Sequence, residues 1–433
     1  MKIEELRKQK KILIIGYGVE GQAMEAFLKA HCPNTEIGIA DASEGDTYLE
    51  KQKEYPLAIK SPGVPPEFVT IPYTTATNIF FANAKGKIIG VTGTKGKSTT
   101  ATLIYEMIKR QEKEVFLGGN IGQPAIDFLD TLTDQSWTVL ELSSFQLQDI
   151  KYSPHIAVLL MVTSEHLDYH KNLESYIAAK RNILTFQKKE DFAIFNRDYP
   201  ASNESDLFTD ATVFYVSRER ETDNACFAFG DKVIIRKGGN DNEIIKTTEI
   251  KLSGKHNLEN VCAAVMAANL ANVSTKHIRE ALLNFTGLSH RLEYIGEKYG
   301  IRFYNDSLAT IPDATIEAIE SFGDTVETLI AGGYDRGVDY STFGEYLAKS
   351  SIKTLLLFPS TGEKIWQAVV AAGGDSHIKK YDVTSMQQAV IFAADETSPG
   401  KICLLSPAAP SFGIFKNYKD RGDQFKKEVL GLA

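Results

Sequence analysis

The sequence predicts an α/β protein built from three successive units, because one event occurs three times along the chain. An apolar run of strand length ends in a polar loop and hands over to helical spacing, first from Lys11, again from Lys87 and again from Ile301. The chain has 433 residues, enough for two or three domains at about 150 residues each. Its 43% hydrophobic and 24% charged residues are those of a folded globular chain able to build large cores.

In order, Lys11–Ile15 is a continuous β-branched run bounded by glycines, read as a buried parallel strand, with a helix over Gly21–Ala30 behind it. Strand Glu36–Ala40 ends at Asp41, and a third segment ends in the turn Ser61-Pro62-Gly63. From Lys87 the pattern gives a strand, a glycine loop and a helix over Thr100–Lys109. Strands follow at Trp137–Leu142 and Ile156–Val162, helices at Leu173–Phe186 and Asn257–Leu270, and a polar β-like insert at 212–252. The polar, glycine-led stretch at 287–293 marks a boundary, beyond which strands at Ile301–Tyr304, Thr328–Ala331, Thr354–Phe358 and Lys401–Leu405 alternate with helices. The expected domains are 1–84, 85–287 and 288–433.

Lys plus Arg (48) against Asp plus Glu (56) gives a net charge of −8, which argues against nucleic acid over a broad surface but allows a local cationic pocket. Cys32, Cys226, Cys262 and Cys403 are scattered, which points to buried thiols in a reducing compartment and not to structural zinc. No run approaches the roughly 18 apolar residues of a membrane span, and a cytoplasmic protein is expected.

Two loops are built for phosphates. Gly16-Tyr17-Gly18-Val19-Glu20-Gly21 is a GxGxxG between strand and helix, with Asp41 closing the next strand; its glycines permit a tight turn and close approach of a diphosphate to a helix N-terminus. The second runs from Gly90 to Thr99. Its strict GxxxxGK[ST] spacing fails because position 91 is Val, yet the physical requirements survive. Gly93 and Gly96 let backbone N–H groups face phosphates, Thr94 and Lys95 complete the turn, Lys97 supplies a charge, and Ser98 or Thr99 can reach Mg²⁺. Glu141 ends a strand where a metal ligand would face the nucleotide; His166 follows another strand, and Lys180 lies on a helix. In the last third, Asn305-Asp306-Ser307, Gly332–Arg336 and Ser406-Pro407 are polar loops after strands, where a doubly wound sheet binds ligands.

Read in order, TGTKGKST, ELSSFQL, SEHLDYH with YIAAK, SGKHNLEN, GLSHRLE, NDS and LLSPAAPS closely resemble the Mur ligase family, over essentially the whole chain. ELSSFQL is the most selective piece. The resemblance implies a Rossmann-like N-terminal domain binding UDP, a central P-loop ATPase domain with a parallel sheet, and a Rossmann-like C-terminal domain binding an amino acid. It also implies the reaction. The carboxylate of UDP-N-acetylmuramoyl-L-alanine takes the γ-phosphate of ATP, and the amine of D-glutamate attacks the acyl phosphate, in cytoplasmic peptidoglycan precursor synthesis.

By the same resemblance Ser98 and Glu141 hold one Mg²⁺, while His166 and a carbamylated Lys180 serve a second. The nucleotide substrate falls to Gly16, Tyr17, Gly18, Asp41, Ser61 and Asn120, with Asn257 and Asn260 near the adenine. Arg291 with Asp306 holds ATP from across a hinge, and Thr310, Arg336, Ser411 and Tyr418 contact glutamate. Carbamylation needs a neutral amine, hence a desolvated Lys180 or one beside cations. The expected partners are small molecules only, with the protein a monomer.

The chain departs from its relatives around the amino-acid site. Leu308 and Ile311 replace a lysine and an asparagine, and Arg336 and Tyr418 stand where some members have Lys and Phe. A branch that adds L-glutamate also departs here, so both enantiomers stay open. From other classes come a nicotinamide-dependent dehydrogenase using Gly16 to Asp41, which leaves the second loop, Glu141 and Lys180 unexplained, and a non-catalytic nucleotide scaffold, which leaves the metal-site residues unexplained.

Overall fold

The computed structural model describes residues 1–45, 47–163, 167–252 and 257–432. The chain forms two compact units, Met1–Phe285 and Thr286–Ala433. The first carries two sheets, the second one.

In the first sheet β1 (Lys11–Ile15), β2 (Glu36–Ala40), β3 (Ala58–Lys60) and β4 (Tyr73–Thr74) lie in the order β2-β1-β3-β4, with β1 parallel to both neighbours. Ile12 and Ile14 face a cluster that runs through the helix Val19–His31 to Ile126, Phe128 and Leu140 of the following layer, while Leu13 and Ile15 face Ala58 and Val64. That double burial is why β1 has no polar alternation.

The second sheet comprises β5 (Lys87–Thr92), β6 (Val115–Gly119), β7 (Trp137–Glu141), β8 (Ile156–Leu159), β9 (Phe192–Asn196), β10 (Thr212–Ser217), β11 (Ala225–Phe229), β12 (Lys232–Lys237) and β13 (Asn240–Lys246), in the order β13-β12-β11-β10-β9-β8-β5-β7-β6. The sheet is parallel-rich, as expected: it is parallel from β6 to β11, and β12 and β13 extend it as antiparallel strands. Their connections, Gly230-Asp231 and Gly238-Gly239, are two-residue turns with glycines at positive φ, too short for the crossover a parallel neighbour needs. β6 escapes the sequence pattern because it is a short, half-exposed edge strand ending in two glycines. The expected helix Leu173–Phe186 stops at Arg181; turns follow, and Asn182 donates its amide to Leu147 O and Gln148 O.

In the second unit β14 (Glu293–Lys298), β15 (Ile301–Asn305), β16 (Val326–Gly332), β17 (Thr354–Phe358), β18 (Lys379–Asp382) and β19 (Ile402–Leu405) are ordered β14-β15-β19-β16-β17-β18, all parallel except the hairpin strand β14. Leu355 and Leu357 enter one core and Leu356 and Phe358 the other, so both faces are covered. β19 sits between β15 and β16, which gathers the loops after these three strands at one carboxyl edge, the ligand-binding position of an open α/β sheet.

Candidate active site: a phosphate loop, a buried carboxylate and two lysines

The loop after β5 enters the helix Lys97–Arg110 through Gly96, whose φ of +86° and whose contact with Asn260 admit no side chain; a Cβ would lie 2.1 Å from Asn260 Oδ1. Asn260 in turn accepts from Thr100 Oγ1 (3.3 Å) and donates to Asn257 Oδ1 (2.9 Å), so both asparagines flank the phosphate loop. Thr94 Oγ1 exchanges hydrogen bonds with Thr163 O (3.1 Å) and Thr163 N (2.9 Å) and receives Tyr176 OH (3.2 Å). The loop is thereby pinned to the next strand end before any ligand arrives.

Lys97 and Lys180 converge on one atom. Lys97 Nζ donates to Gly93 O (3.1 Å) and Thr94 O (2.7 Å), and the buried Lys180 Nζ donates to Gly93 O (2.8 Å) while lying 4.5 Å from the centre of the Tyr176 ring. Two ammonium groups sharing an acceptor repel each other at close range, and both gain if an anion enters between or beside them.

Parallel register sets Glu141 beside Val91 on one side and Gly119 on the other. Glu141 is buried; its Oε1 accepts from Asn120 Nδ2 (3.0 Å), and its Oε2 has no hydrogen-bond partner among the described residues. A buried carboxylate oxygen without a donor is costly unless something cationic completes it, and a hard divalent cation with oxygen ligands fits this atom beside a phosphate loop. Ser98 stands in the first turn of the loop's helix. His166 lies outside the described residues. Its neighbour in sequence, His170, is buried with Nε2 2.9 Å from Ser144 Oγ and packs on Phe145 and Tyr176.

The glycine loop after β1 is built as its motif requires: a Cβ on Gly21 would lie 2.3 Å from Gly16 O, while Gly18 faces open space. Ser61 Oγ donates to Gly16 O (2.6 Å). Asp41, however, turns inward. Its carboxylate accepts from Ser43 Oγ (2.7 Å), Tyr17 N (2.7 Å) and Ser43 N (3.0 Å), which together hold it below the usual carboxylate range. Between this loop and the second sheet lies a cavity of about 290 Å³ lined in part by Glu20, Thr77, Phe80, Asn120 and Gln146.

In the second unit the NDS loop is also pre-formed. Asp306 is buried, accepting from Ser406 Oγ (2.8 Å) and Leu292 N (3.2 Å); desolvation nevertheless pushes its carboxyl up to about 7. Arg291 lies close enough to oppose that shift electrostatically. Tyr418 opens the helix Tyr418–Leu430, its carbonyl accepting from Ser307 Oγ (2.8 Å), while Thr310 and the buried Ser411 lie on the loops after β15 and β19.

Arg336 is exposed, with its guanidinium carbon 5.8 Å from the centre of the Phe412 ring. Its acidic neighbours are engaged elsewhere: Asp335 pairs with Lys364 (2.6 Å), and Asp339 accepts from Ser341. The loops after β15, β16 and β19 therefore share an edge, with a cation on it that has no carboxylate within ion-pair distance among the described residues.

One residue here escaped the sequence. Arg421 is fully buried, and its guanidinium donates to Ser307 Oγ (2.9 Å), Ser307 O (2.9 Å) and Ala409 O (3.0 Å), tying two site loops to the final helix. Burial pulls it down to about 9, which leaves it protonated at neutral pH. Amid the charged run Lys419-Asp420-Arg421 it reads as a solvent-facing residue, and no pattern marks it otherwise.

Comparison with known proteins accords with this geometry. Residues 91–268 match the Mur ligase middle domain, and residues 290–409 the domain described as Mur ligase, glutamate ligase domain. The chain is 36% identical to the UDP-N-acetylmuramoylalanine–D-glutamate ligase of Acetivibrio thermocellus over 98% of its own length and 97% of that protein. It is 35% identical to the enzyme of the same name from Geobacillus kaustophilus, over 100% of both. Among solved structures, the fold resembles MurF from Acinetobacter baumannii (TM-score 0.59, 16% identity, 82% of this chain and 78% of that one) and the ADP complex of MurF from Thermotoga maritima (TM-score 0.55, 18% identity, 99% and 100%). With relatives aligned end to end at over a third identity, this chain belongs to the Mur ligase family.

Proposed function

We propose that this chain is an ATP-dependent ligase that joins D-glutamate to UDP-N-acetylmuramoylalanine through an acyl phosphate, a step of peptidoglycan precursor synthesis. The observation that carries the reading is the full-length match to enzymes of that name, on a chain whose phosphate loop, Glu141 and Lys180 share one sheet edge. It also favours D- over L-glutamate and displaces the dehydrogenase and scaffold readings.

A carboxylate repels nucleophiles, and phosphorylation removes its charge while creating a leaving group. Lys97, at the start of its helix, would stabilise charge on the transferring phosphoryl, with backbone N–H groups of Gly93–Thr99 orienting the donor. Glu141 and Ser98 would hold one Mg²⁺ and His166 with Lys180 a second, and the metal on binding neutralises phosphate charge. Asn120 keeps Glu141 Oε1 turned toward itself, leaving Oε2 for the cation.

We assign Lys180 as a carbamate: converting one of two ammonium groups on Gly93 O to an anion replaces repulsion of Lys97 by attraction, and the carbamate nitrogen keeps a hydrogen for that carbonyl. Arg336, Thr310, Ser411 and Tyr418 are assigned to glutamate, with Asn257, Asn260, Arg291 and Asp306 assigned to ATP. Gly16, Tyr17, Gly18, Asp41 and Ser61, with Asn120, are assigned to the nucleotide substrate. The working domain division is 1–84, 85–287 and 288–433. No described helix is long and apolar enough to cross a membrane; the working assignment of compartment and oligomeric state is a cytoplasmic monomer.

The test is to incubate the protein with ATP, Mg²⁺, UDP-N-acetylmuramoyl-L-alanine and each glutamate enantiomer, and to identify products by mass. A glutamyl adduct with D-glutamate, together with ADP and phosphate, is expected. Adduct only with L-glutamate, or none with either, would overturn the assignment.

A further inference from the structure

The GxGxxG loop carries an acid where a diphosphate site should avoid one. Glu20 lies in the first turn of the helix Val19–His31, at the positive end of the helix where a phosphate would otherwise sit. The first loop amide, Tyr17 N, is already taken by Asp41 (2.7 Å).

Glu20 lines the cavity of about 290 Å³, across from the second sheet. Gln146 meets it there with Nε2 3.5 Å from Glu20 Oε2, its other amide end held by Ser143 N (3.1 Å) and Ser143 Oγ (3.2 Å). Among the described residues the cation acting on it is Lys60, which is buried and spent on Asp149 (2.9 Å) and Val64 O (2.9 Å). On the same cavity wall Asn120 is one hydrogen bond from Glu141.

A phosphate in this cavity would meet a carboxylate whose neighbouring cation, Lys60, is already paired, whereas an uncharged group rich in hydroxyl and amide donors would meet Glu20, Thr77, Asn120 and Gln146 with partners for each. Resting on the ligase reading above, we propose that Glu20 is a specificity-determining residue: its carboxyl receives the neutral sugar portion of the nucleotide substrate in this cavity and keeps the diphosphate out of it.

The chemistry of the carboxyl sharpens the consequence. Enclosure pushes Glu20 up to about 7, against the smaller opposing effects of Gln146 and Lys60. Below that pH the group is neutral and can donate to a sugar oxygen; above it, the carboxylate opposes a ligand that is itself anionic. Affinity for the sugar nucleotide should therefore fall as pH rises through neutrality.

The experiment compares wild type, Glu20→Gln and Glu20→Ala across about pH 6.5 to 8.5, after melting curves confirm folding. It measures KM for UDP-N-acetylmuramoyl-L-alanine and for ATP, and inhibition by UDP, which has the diphosphate and no sugar. Glu20→Ala should raise the sugar-nucleotide KM about tenfold at the low-pH end, leaving the ATP KM and UDP inhibition within about twofold. Glu20→Gln, an isostere of the neutral acid, should stay close to wild type at low pH and lose the rise at high pH. An unchanged KM in Glu20→Ala, an equal loss for UDP, or a wild-type pH profile in Glu20→Gln would each overturn the proposal. If wild type makes no glutamyl adduct, the ligase reading fails instead, and calorimetric binding of the sugar nucleotide against UDP still decides the role of Glu20.

Discussion

The two candidate site regions are held in opposite ways. Around the phosphate loop the side chains of the loop and its flanks are already engaged: Lys97 and Lys180 on Gly93 O, Thr94 on Thr163 and Tyr176, Asn260 against Gly96. At the edge of the second unit the backbone is equally well tied, through Arg421 and Asp306, yet Arg336, the cation proposed for the amino acid, projects from an exposed loop and leans on the half-exposed ring of Phe412. Phosphoryl transfer needs charges in place before reaction, since reorganising them would cost as much as they contribute. Recognition of an amino acid needs only that a matching group be reachable, and a planar guanidinium on an aromatic face keeps its fork available for a carboxylate. Changes in the first region should therefore strike turnover, and changes in the second should strike KM.

The largest effect is expected from Lys97→Ala. Loss of a preorganised charge at the phosphoryl site should lower kcat by about 10²–10³-fold with the melting temperature little changed. Near-normal turnover in the folded variant would remove the phosphate-loop assignment and with it the contrast.

Next is Lys180→Arg, which keeps a cation but cannot capture CO₂. Turnover should drop by about two orders of magnitude on the scale of a lost metal-site group and should not respond to bicarbonate, whereas CO₂-depleted wild type should regain activity when bicarbonate is added. Full activity in Lys180→Arg would show that the lysine acts as an ammonium.

Arg336→Ala should raise the glutamate KM by about 10–100-fold, the value of one charge-assisted pair, with the ATP KM within about twofold. Arg336→Lys should be impaired as well, because an ammonium lacks the planar fork and Leu308, on the loop after β15, offers no second cation. A fall in kcat at unchanged KM would mean that this edge is as preorganised as the other.

The smallest effect is on stability. Asp306 titrates near 7 in the fold and near 4 in an unfolded chain, so between those values the unfolded state loses its proton first and the fold weakens as pH rises, levelling off above about 7. Asp306→Asn keeps acceptor and donor atoms for Leu292 N and Ser406 Oγ without the charge. The variant should melt a few degrees above wild type at pH 8, by roughly 2–4 °C per kcal/mol, and no higher at pH 4, while losing activity if Asp306 serves ATP. A lower melting temperature at pH 8 would show that the ionised carboxylate is fully compensated in its pocket.

The chemistry was most legible where it rests on consecutive residues. A phosphate loop needs its glycines, lysine and hydroxyls at adjacent positions because backbone N–H groups do the binding, so 90–99 could be read directly. The buried runs Lys11–Ile15, Lys87–Thr92 and Thr354–Phe358 were equally plain, since a parallel strand covered on both faces has no polar alternation. Edge strand β6 and the end of the helix at Arg181 were not, because half-exposed ends carry weak patterns and their limits are set by neighbours.

By itself, then, the sequence determined the α/β class, the three places where strand-loop-helix units begin, and the residue types available for phosphate, metal and amino acid, all properties of local spacing. Only the tertiary structure decided what those residues touch. It turned Asp41 inward onto Tyr17 N, put Lys97 and Lys180 on one carbonyl 87 positions from the second of them, left Glu141 Oε2 without a hydrogen-bond partner among the described residues, enclosed Glu20 opposite Gln146, and buried Arg421 between Ser307 and Ala409. Each depends on desolvation and on partners distant in the chain, and both arise when separate segments pack together and exclude water.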